Sequence, residues 1–367
     1  MEINNVKRIH EFGQSIWLDF FDRKIMNNGE LKKLIEEDGI RGLTSNPAIF
    51  EKAISNSSAY DVDIAALSKQ KTSNSEIFFG LAIKDIKRAA DFFKPVYDET
   101  QGKDGFVSLE VSPHLARDTG GTIKQAKELW QAVDRKNVMI KIPGTAEGLP
   151  AIRHCISKGI NINVTLLFGL PRYGEVTDAY MSGLEDRVNS NLPIDEIASV
   201  ASFFLSRIDV MVDPMLMEKG LSELKGEVAI ASAKKAYEIY QEIINSDRFK
   251  NLEAKGASRQ RVLWASTSSK DPSFSDVKYV EALIGKETIN TIPMETLNAF
   301  RDHGKVANTL EDDLDKATRV MQQLKENSID IDIITQALED EGIEKFNKPY
   351  DKLLKGIEKQ KNVTPSN

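Results

Sequence analysis

The chain has 367 residues, of which 41% are hydrophobic and 29% charged, and its formal net charge at pH 7 is −7. This mildly acidic composition gives no support for binding to nucleic acid or to a membrane surface, and no apolar run approaches the roughly 20 residues of a membrane-spanning helix. The N-terminal segment has no apolar stretch after a basic start, so we expect no signal peptide. The single cysteine, Cys155, permits no internal disulfide, which favours a cytoplasmic protein.

Eight short apolar runs alternate with helical patterns along the chain. The runs lie at residues 15–20, 39–45, 106–111, 138–142, 162–168, 198–204, 261–266 and 287–293. Amphipathic patterns of helical period separate them, for example at 29–39, 122–133 and 229–243. Alternating strands and helices predict parallel pairing, and eight strands close a (β/α)8 barrel. An open doubly wound sheet is the competing fold, but no glycine-rich fingerprint follows the first strand.

The chain is longer than the ~250 residues that a plain barrel needs. We therefore predict an α/β fold in which residues 1–367 form a single (β/α)8 TIM-barrel domain with additional helices. Helical insertions are expected near 47–105 and 205–260, and a helical C-terminal extension over 305–367. The extension carries amphipathic patterns, and no Pro/Ser-rich linker, repeat or low-complexity tract divides the chain.

Polar residues recur at strand positions that point into the predicted barrel. Side chains alternate between the two faces of a strand, and in a barrel one of these faces points inward. The inward set comprises Asp19, Asn46, Glu110, Lys141, Asn163, Thr165 and Ser202. Each could be a satisfied polar core residue, as is readily pictured for Ser202 or Thr165 alone. Most lie toward the C-terminal ends of their strands, where barrel enzymes hold their chemistry, so the whole set favours an active site.

Lys141 is the most informative of these residues, because an unpaired ammonium in an apolar setting is costly. Burial disfavours the charged form of a lysine, and the neutral amine is a nucleophile that forms a Schiff base with ketones and aldehydes. The protonated imine withdraws electrons, so an adjacent carbon–carbon bond can break or form without a metal. Asp19 and Glu110 are the carboxylates available for proton transfer, and Asn46 and Asn163 suit sugar hydroxyls.

Two cations follow late strands at the end of the barrel that commonly binds phosphate. Arg207 follows the sixth strand and Lys270 the seventh, and each is either a phosphate ligand or a solvated surface charge. The four histidines are scattered without metal-ligand spacing, so no metal site and no cofactor are predicted. Cys155 follows His154, but adjacent helical residues point in different directions, which favours a structural role for the cysteine.

Two stretches have the character of motifs, GLTSNPAIF at 42–50 and VMIKIPGTAEG at 138–148. They resemble the two signature motifs of the transaldolase family. The likeness extends in order through WLD at Trp17, SLEVSP at Ser108, GININVTLLF at Gly159, SFFLSRID at Ser202, LWASTSSKDP at Leu263 and NTIPMETLNAF at Asn290. It therefore covers nearly the whole barrel, and the chain's length and helical tail resemble the longer bacterial-type subgroup.

The resemblance implies an activity and assigns roles to the inward residues. The family carries a dihydroxyacetone unit on a lysine Schiff base from a ketose phosphate to an aldose phosphate. It acts in the non-oxidative pentose phosphate pathway without a cofactor. By position, Lys141 would be the imine lysine and Asp19 the proton-transfer carboxylate. Glu110 and Thr165 would hold the catalytic water.

The resemblance also implies a set of substrate-binding residues. These are Asn46 and Asn163 on the substrate chain, Ser202 and Arg207 on its phosphate, and Phe204 and Lys270 nearby. Relatives that act mainly as aldolases tend to carry tyrosine at the position of Phe204, so the apolar residue favours transfer over release. Many members place an arginine after the seventh strand, and this chain departs from that pattern with Lys270.

Three functions are weighed at this point. The first is a transaldolase and the second a simple aldolase acting on fructose 6-phosphate or a related sugar. The third is a barrel that only binds a sugar phosphate, which would be expected to lose Lys141, Asp19 or Glu110. The expected partners are sugar phosphates, with no nucleic acid and no membrane, and both a monomer and a homodimer stay open.

Overall fold

Eight parallel strands form a closed barrel in the computed structural model, which describes residues 4–70 and 72–363. The strands are β1 (Gln14–Leu18), β2 (Gly42–Leu43), β3 (Phe106–Glu110), β4 (Val138–Pro143), β5 (Ile162–Leu167), β6 (Ser199–Phe204), β7 (Arg261–Ala265) and β8 (Thr288–Ile292). Each pairs in parallel with the next along the chain, and β8 pairs with β1. The predicted (β/α)8 barrel is therefore confirmed; residues 1–3, 71 and 364–367 of the predicted domain range lie outside the described residues.

Helices surround the barrel, and several of them lie between β2 and β3, between β6 and β7 and after β8. The first eight are α1 (Asn5–Arg8), α2 (Arg23–Asn27), α3 (Glu30–Glu36), α4 (Pro47–Ser55), α5 (Asp61–Ser68), α6 (Asn74–Glu99), α7 (Thr119–Val133) and α8 (Gly148–Ser157). They are followed by α9 (Leu170–Asn189), α10 (Ser206–Glu218), α11 (Val228–Asn245), α12 (Asp247–Glu253), α13 (Lys278–Glu281), α14 (Met294–His303), α15 (Leu314–Glu326) and α16 (Ile331–Val363). Short 3-10 turns lie at Ile9–Phe12, Ser58–Tyr60, Pro113–Leu115 and Ser222–Leu224. No helix among the described residues is long and apolar enough to cross a bilayer.

Strand β2 is shorter than the apolar run at 39–45 predicted. Only two residues meet the strand pattern, although the backbone amides of Arg41 and Thr44 still donate to the carbonyls of Ile16 and Leu18 on β1. The chain then turns at once into α4, where the Asn46 side chain accepts from the Ile49 amide and Pro47 occupies the first turn. This early helix start ends the strand directly at the mouth of the barrel.

A buried carboxylate links β1 and β7 at the N-terminal end of the barrel. Asp104 accepts hydrogen bonds from Ser15 Oγ at 2.7 Å, Trp17 Nε1 at 3.1 Å and Arg261 Nη2 at 2.9 Å. The charge is thus paired and hydrogen-bonded, as a buried carboxylate requires. Because Trp17 points inward from β1, its indole occupies the barrel interior beside Gly42 of β2. A β-carbon at Gly42 would lie only 2.5 Å from Trp17 Cδ2.

The C-terminal extension packs beside the opposite end of the barrel. Gly342 of α16 lies against Leu166, near the end of β5, and against Phe168, which directly follows β5. Asp351 of α16 pairs with His114 after β3, with Nε2 and Oδ1 2.8 Å apart, and Tyr350 Oη lies 2.8 Å from Ser75 Oγ of α6. The long helix therefore lies along one side of the C-terminal mouth.

The close approach of Trp17 to Gly42 predicts a cost for any side chain at that position. Gly42→Ala should lower the free energy of unfolding by about 1–3 kcal/mol, because the indole and the barrel wall must move apart. Urea denaturation measures this quantity. Gly174→Ala on α9, where a β-carbon meets nothing within 4 Å, is the matched control and should be neutral or stabilising by up to about 1 kcal/mol. Equal stability of the two variants would contradict the proposed packing.

Candidate active site

Lys141 and Glu110 lie side by side inside the C-terminal end of the barrel. They are register partners on β3 and β4, so their side chains share the inward face. The Lys141 ammonium nitrogen, Nζ, lies 3.7 Å from Glu110 Oε2, and the two residues are 4% and 5% exposed. Nζ also donates weakly to the Ser45 carbonyl at 3.4 Å. The lysine that looks misplaced in its apolar strand is therefore directed away from Ile140 and Ile142, toward a carboxylate.

The surroundings of Glu110 raise the pKa of its carboxyl group. Burial raises the pKa of its carboxyl to about 7, while the Lys141 charge opposes the rise and the Asp19 charge adds to it. Both carboxylate oxygens are buried and have no hydrogen-bond partner among the described residues. A carboxyl group of this kind can give and take a proton near neutral pH.

Asp19 reaches the same space from the loop that follows β1. Its Oδ1 accepts from Thr44 Oγ1 at 2.7 Å, and its backbone amide donates to the Ile292 carbonyl of β8. Burial raises the pKa of Asp19, and the Lys141 charge and the Thr44 hydrogen bond partly offset that rise. Two carboxyl groups with raised pKa values thus lie near one lysine, and such perturbed groups cluster at functional sites.

Asn163 and Thr165 bring polar atoms from β5 to the lysine. Asn163 is the register partner of Lys141; its Nδ2 donates to Ser108 Oγ at 3.0 Å and its Oδ1 accepts from Ser202 Oγ at 2.7 Å. The Thr165 hydroxyl is buried without a hydrogen-bond partner among the described residues. Directly after it, Leu166 adopts a φ of 54° where the pairing with β6 shifts register. A left-handed conformation is strained for a leucine, and such strain is frequent at active sites.

A cationic and an aromatic pair border the mouth. Burial lowers the pKa of the Lys270 side chain, and the nearby Arg207 charge lowers it further. Lys270 Nζ donates to Ser268 Oγ at 2.6 Å. Phe204, at the end of β6, packs against Phe168 with ring centroids 5.2 Å apart. Arg207 and Lys270 therefore lie near enough for the charge of one to act on the other.

Asn46 and Cys155 are also among the residues that the sequence analysis singled out. Asn46 is partly buried at the mouth, where its Oδ1 is occupied in capping α4. Cys155 is fully buried on α8, and burial raises the pKa of its thiol to about 12, which agrees with a structural role. Within 4–70 and 72–363, no three His, Cys, Asp or Glu side chains are grouped so that they could hold a metal ion.

Thr44, Thr291 and Glu341 belong to the site but are missing from the residues that the sequence analysis selected. Thr44 Oγ1 donates to Asp19 Oδ1 and lies 2.8 Å from Thr291 Oγ1. Glu341 of α16 lies near enough to Arg207 for its charge to act on the guanidinium. Thr44 could have been found, since it lies inside the GLTSNPAIF motif. Glu341 could not, because the docking of a distant helix leaves no local pattern.

A closed barrel with a lysine and two carboxyl groups gathered at its C-terminal mouth has the architecture of a (β/α)8-barrel enzyme. The family described as Transaldolase/Fructose-6-phosphate aldolase matches residues 16–357. The chain is 50% identical to the transaldolase of Trichodesmium erythraeum, with 100% of both chains covered. It is 48% identical to transaldolase 2 of a Nostoc species and 45% identical to transaldolase 2 of Nostoc punctiforme, with 98% of each chain covered in both pairs. The chain belongs to the transaldolase/fructose-6-phosphate aldolase family.

The raised pKa of Glu110 predicts a pH-dependent contribution to stability. The folded pKa of about 7 exceeds the ordinary value of 4.5, so the folded chain holds this proton more tightly than the unfolded chain. The resulting stabilisation is present below pH 4.5 and is lost as pH rises toward 7. Glu110→Gln removes this titration. The unfolding free energy of the variant, relative to the parent chain, should rise by roughly 2 kcal/mol between pH 5 and pH 7.5.

Urea unfolding at the two pH values measures this difference. Glu128→Gln, at an exposed position on α7, serves as the control and should show no such trend. A pH-independent difference between Glu110→Gln and the parent chain would contradict the assigned titration.

Proposed function

We propose that the chain is a transaldolase that transfers a dihydroxyacetone unit through an imine on Lys141. The donor is a ketose phosphate (sedoheptulose 7-phosphate or fructose 6-phosphate), and the acceptor is an aldose phosphate (glyceraldehyde 3-phosphate or erythrose 4-phosphate). The observation that carries the proposal is the buried Lys141 amine beside Glu110 at the barrel mouth. The full-length similarity to proteins named transaldolase supports the same conclusion.

In the first step, the neutral Lys141 amine attacks the C2 carbonyl of the donor and water leaves. The step needs a group that removes a proton from nitrogen and returns one to the departing oxygen. Glu110 suits this exchange because its pKa lies at about 7. Its oxygens and the Thr165 hydroxyl, which have no hydrogen-bond partner in the part of the chain that the structure describes, are available to hold the water that leaves and later returns.

In the second step, Asp19 takes the proton of the C4 hydroxyl and the C3–C4 bond breaks. The electron pair of that bond moves into the protonated imine, so a three-carbon enamine stays on Lys141 while the aldose phosphate departs. The enamine then attacks the acceptor aldehyde, and Asp19 returns its proton to the new hydroxyl. Hydrolysis of the imine releases the product and restores the amine.

Substrate binding follows from the remaining polar groups. Asn46 and Asn163 suit the hydroxyls of the sugar chain, with Ser202 orienting the Asn163 amide through their 2.7 Å hydrogen bond. Arg207 and Lys270 supply positive charge for the phosphate. We also propose that the protein acts in the cytoplasm, in the pentose phosphate pathway. A single barrel domain remains a prediction, and both a monomer and a homodimer stay open.

Removing the lysine amine tests the proposal. Lys141→Met keeps the length of the side chain and should lower kcat by at least about 10⁴-fold, because no imine can form, while circular dichroism shows an intact fold. Lys127→Met, at an exposed position on α7, should retain the parent rate. A Lys141→Met variant with more than a tenth of the parent activity would rule out the imine mechanism, and inactivity of both variants would point to the fold instead.

A simple aldolase is the second candidate, since the family description covers both activities. Phe204 favours transfer, because its ring packs against Phe168 and offers no hydrogen bond to a water that could protonate the enamine. We expect rapid turnover of fructose 6-phosphate only when erythrose 4-phosphate is present. Equal release of the aldose without an acceptor would favour the aldolase.

Phe204→Tyr should raise the acceptor-independent cleavage of fructose 6-phosphate by roughly tenfold, because a phenol hydroxyl can hold a water beside the enamine. Phe204→Leu, which stays apolar, is the control and should leave the ratio of cleavage to transfer unchanged. The measurement is glyceraldehyde 3-phosphate release with and without erythrose 4-phosphate. An identical ratio in the tyrosine and leucine variants would exclude a role of polarity at this position.

A further inference from the structure

Two threonines from the strands on either side of β1 meet beneath the Asp19 carboxylate. Thr44 follows β2 and Thr291 lies on β8, and their hydroxyl oxygens are 2.8 Å apart. Thr44 Oγ1 also lies 2.7 Å from Asp19 Oδ1. The hydroxyl pair is buried, with both residues at most 5% exposed. The backbone of Thr44 is held in place, because the Thr44 amide donates to the Leu18 carbonyl of β1.

The chain of hydroxyls has a definite direction in each protonation state of Asp19. When Asp19 is ionised, it only accepts, so Thr44 donates to Oδ1 and Thr291 donates to Thr44. When Oδ1 carries a proton, Asp19 donates to Thr44, and Thr44 in turn donates to Thr291. Because each hydroxyl both donates and accepts, the pair can hold Oδ1 in either state. The ionised state gains more, since hydrogen bonds to charged groups are the stronger ones.

The two carboxylate oxygens of Asp19 differ in their hydrogen bonding. Among the described residues, no group hydrogen-bonds Asp19 Oδ2, whereas Oδ1 is fixed by Thr44. We propose that Thr44, supported by Thr291, is a positioning residue that holds Oδ1 and leaves Oδ2 as the oxygen that exchanges the proton with the substrate. The inference rests on the proposed role of Asp19 in proton transfer.

The charged groups around Asp19 determine how loss of the Thr44 hydroxyl would change the Asp19 pKa. The charged groups that face Asp19 are Lys141 from β4, Lys270 from the loop after β7 and Glu110 from β3. The two lysines favour the ionised carboxylate and Glu110 opposes it, and burial raises the Asp19 pKa against this background. The Thr44 hydrogen bond lowers that pKa, so its loss should raise it further.

The test compares pH profiles of kcat/KM for fructose 6-phosphate with erythrose 4-phosphate as acceptor. Thr44→Val keeps the shape of the side chain and removes the hydroxyl. Its acid limb should move up by about one pH unit, and kcat should fall roughly 10–100-fold through misorientation of the carboxylate, with KM nearly unchanged. Thr44→Ser should restore the parent profile. Thr291→Val should show a smaller shift, since Thr44 can still donate to Asp19.

Two controls make the outcome decisive. Thr122→Val removes a buried hydroxyl on α7 that donates to the Leu115 carbonyl, and it should leave the pH profile unchanged. Asp19→Asn should be nearly inactive at every pH. If Asp19→Asn is inactive but Thr44→Val keeps the parent profile and kcat, the positioning role is overturned and the role of Asp19 survives. Full activity of Asp19→Asn would overturn both.

Discussion

The burial of the Lys141 amine beside Glu110 is the constraint on which the rest of the site depends. A lysine that is 4% exposed cannot keep an unpaired charge without a large cost, so a carboxylate must lie near it. The same burial raises the pKa of that carboxylate to about 7, so Glu110 can give and take a proton near neutral pH. Burying these two side chains therefore costs free energy of folding. The same burial produces the raised Glu110 pKa that the proposed chemistry requires.

The barrel supplies the means of holding this costly arrangement. Register pairing sets Glu110, Lys141 and Asn163 side by side on three consecutive strands, so the sheet fixes the backbone positions of all three. At the opposite end of the barrel, the buried Asp104 carboxylate accepts a hydrogen bond from the Trp17 indole. At the C-terminal end, α16 lies along one side of the mouth, where Asp351 pairs with His114.

Much of this could be predicted from the sequence, because strand periodicity carries the information. The inward direction of Lys141 and Glu110 follows from alternation in their strands, and eight runs predict a closed barrel. Alternation could not place Asn46, since its side chain caps α4. It could not predict that Ser202 hydrogen-bonds Asn163, nor that Thr44 and Thr291 meet beneath Asp19, because the separation of side chains across a barrel depends on strand stagger. The docking of Glu341 near Arg207 depends on the path of a distant helix.

Borohydride reduction in the presence of fructose 6-phosphate tests the central claim most directly. Reduction converts an imine into a stable secondary amine, and peptide mapping by mass spectrometry then locates the modified lysine. The account predicts a reduced three-carbon adduct on Lys141 alone, formed in the presence of both sugar and borohydride. An adduct on another lysine, or an unmodified Lys141 in a protein that turns over substrate, would contradict it.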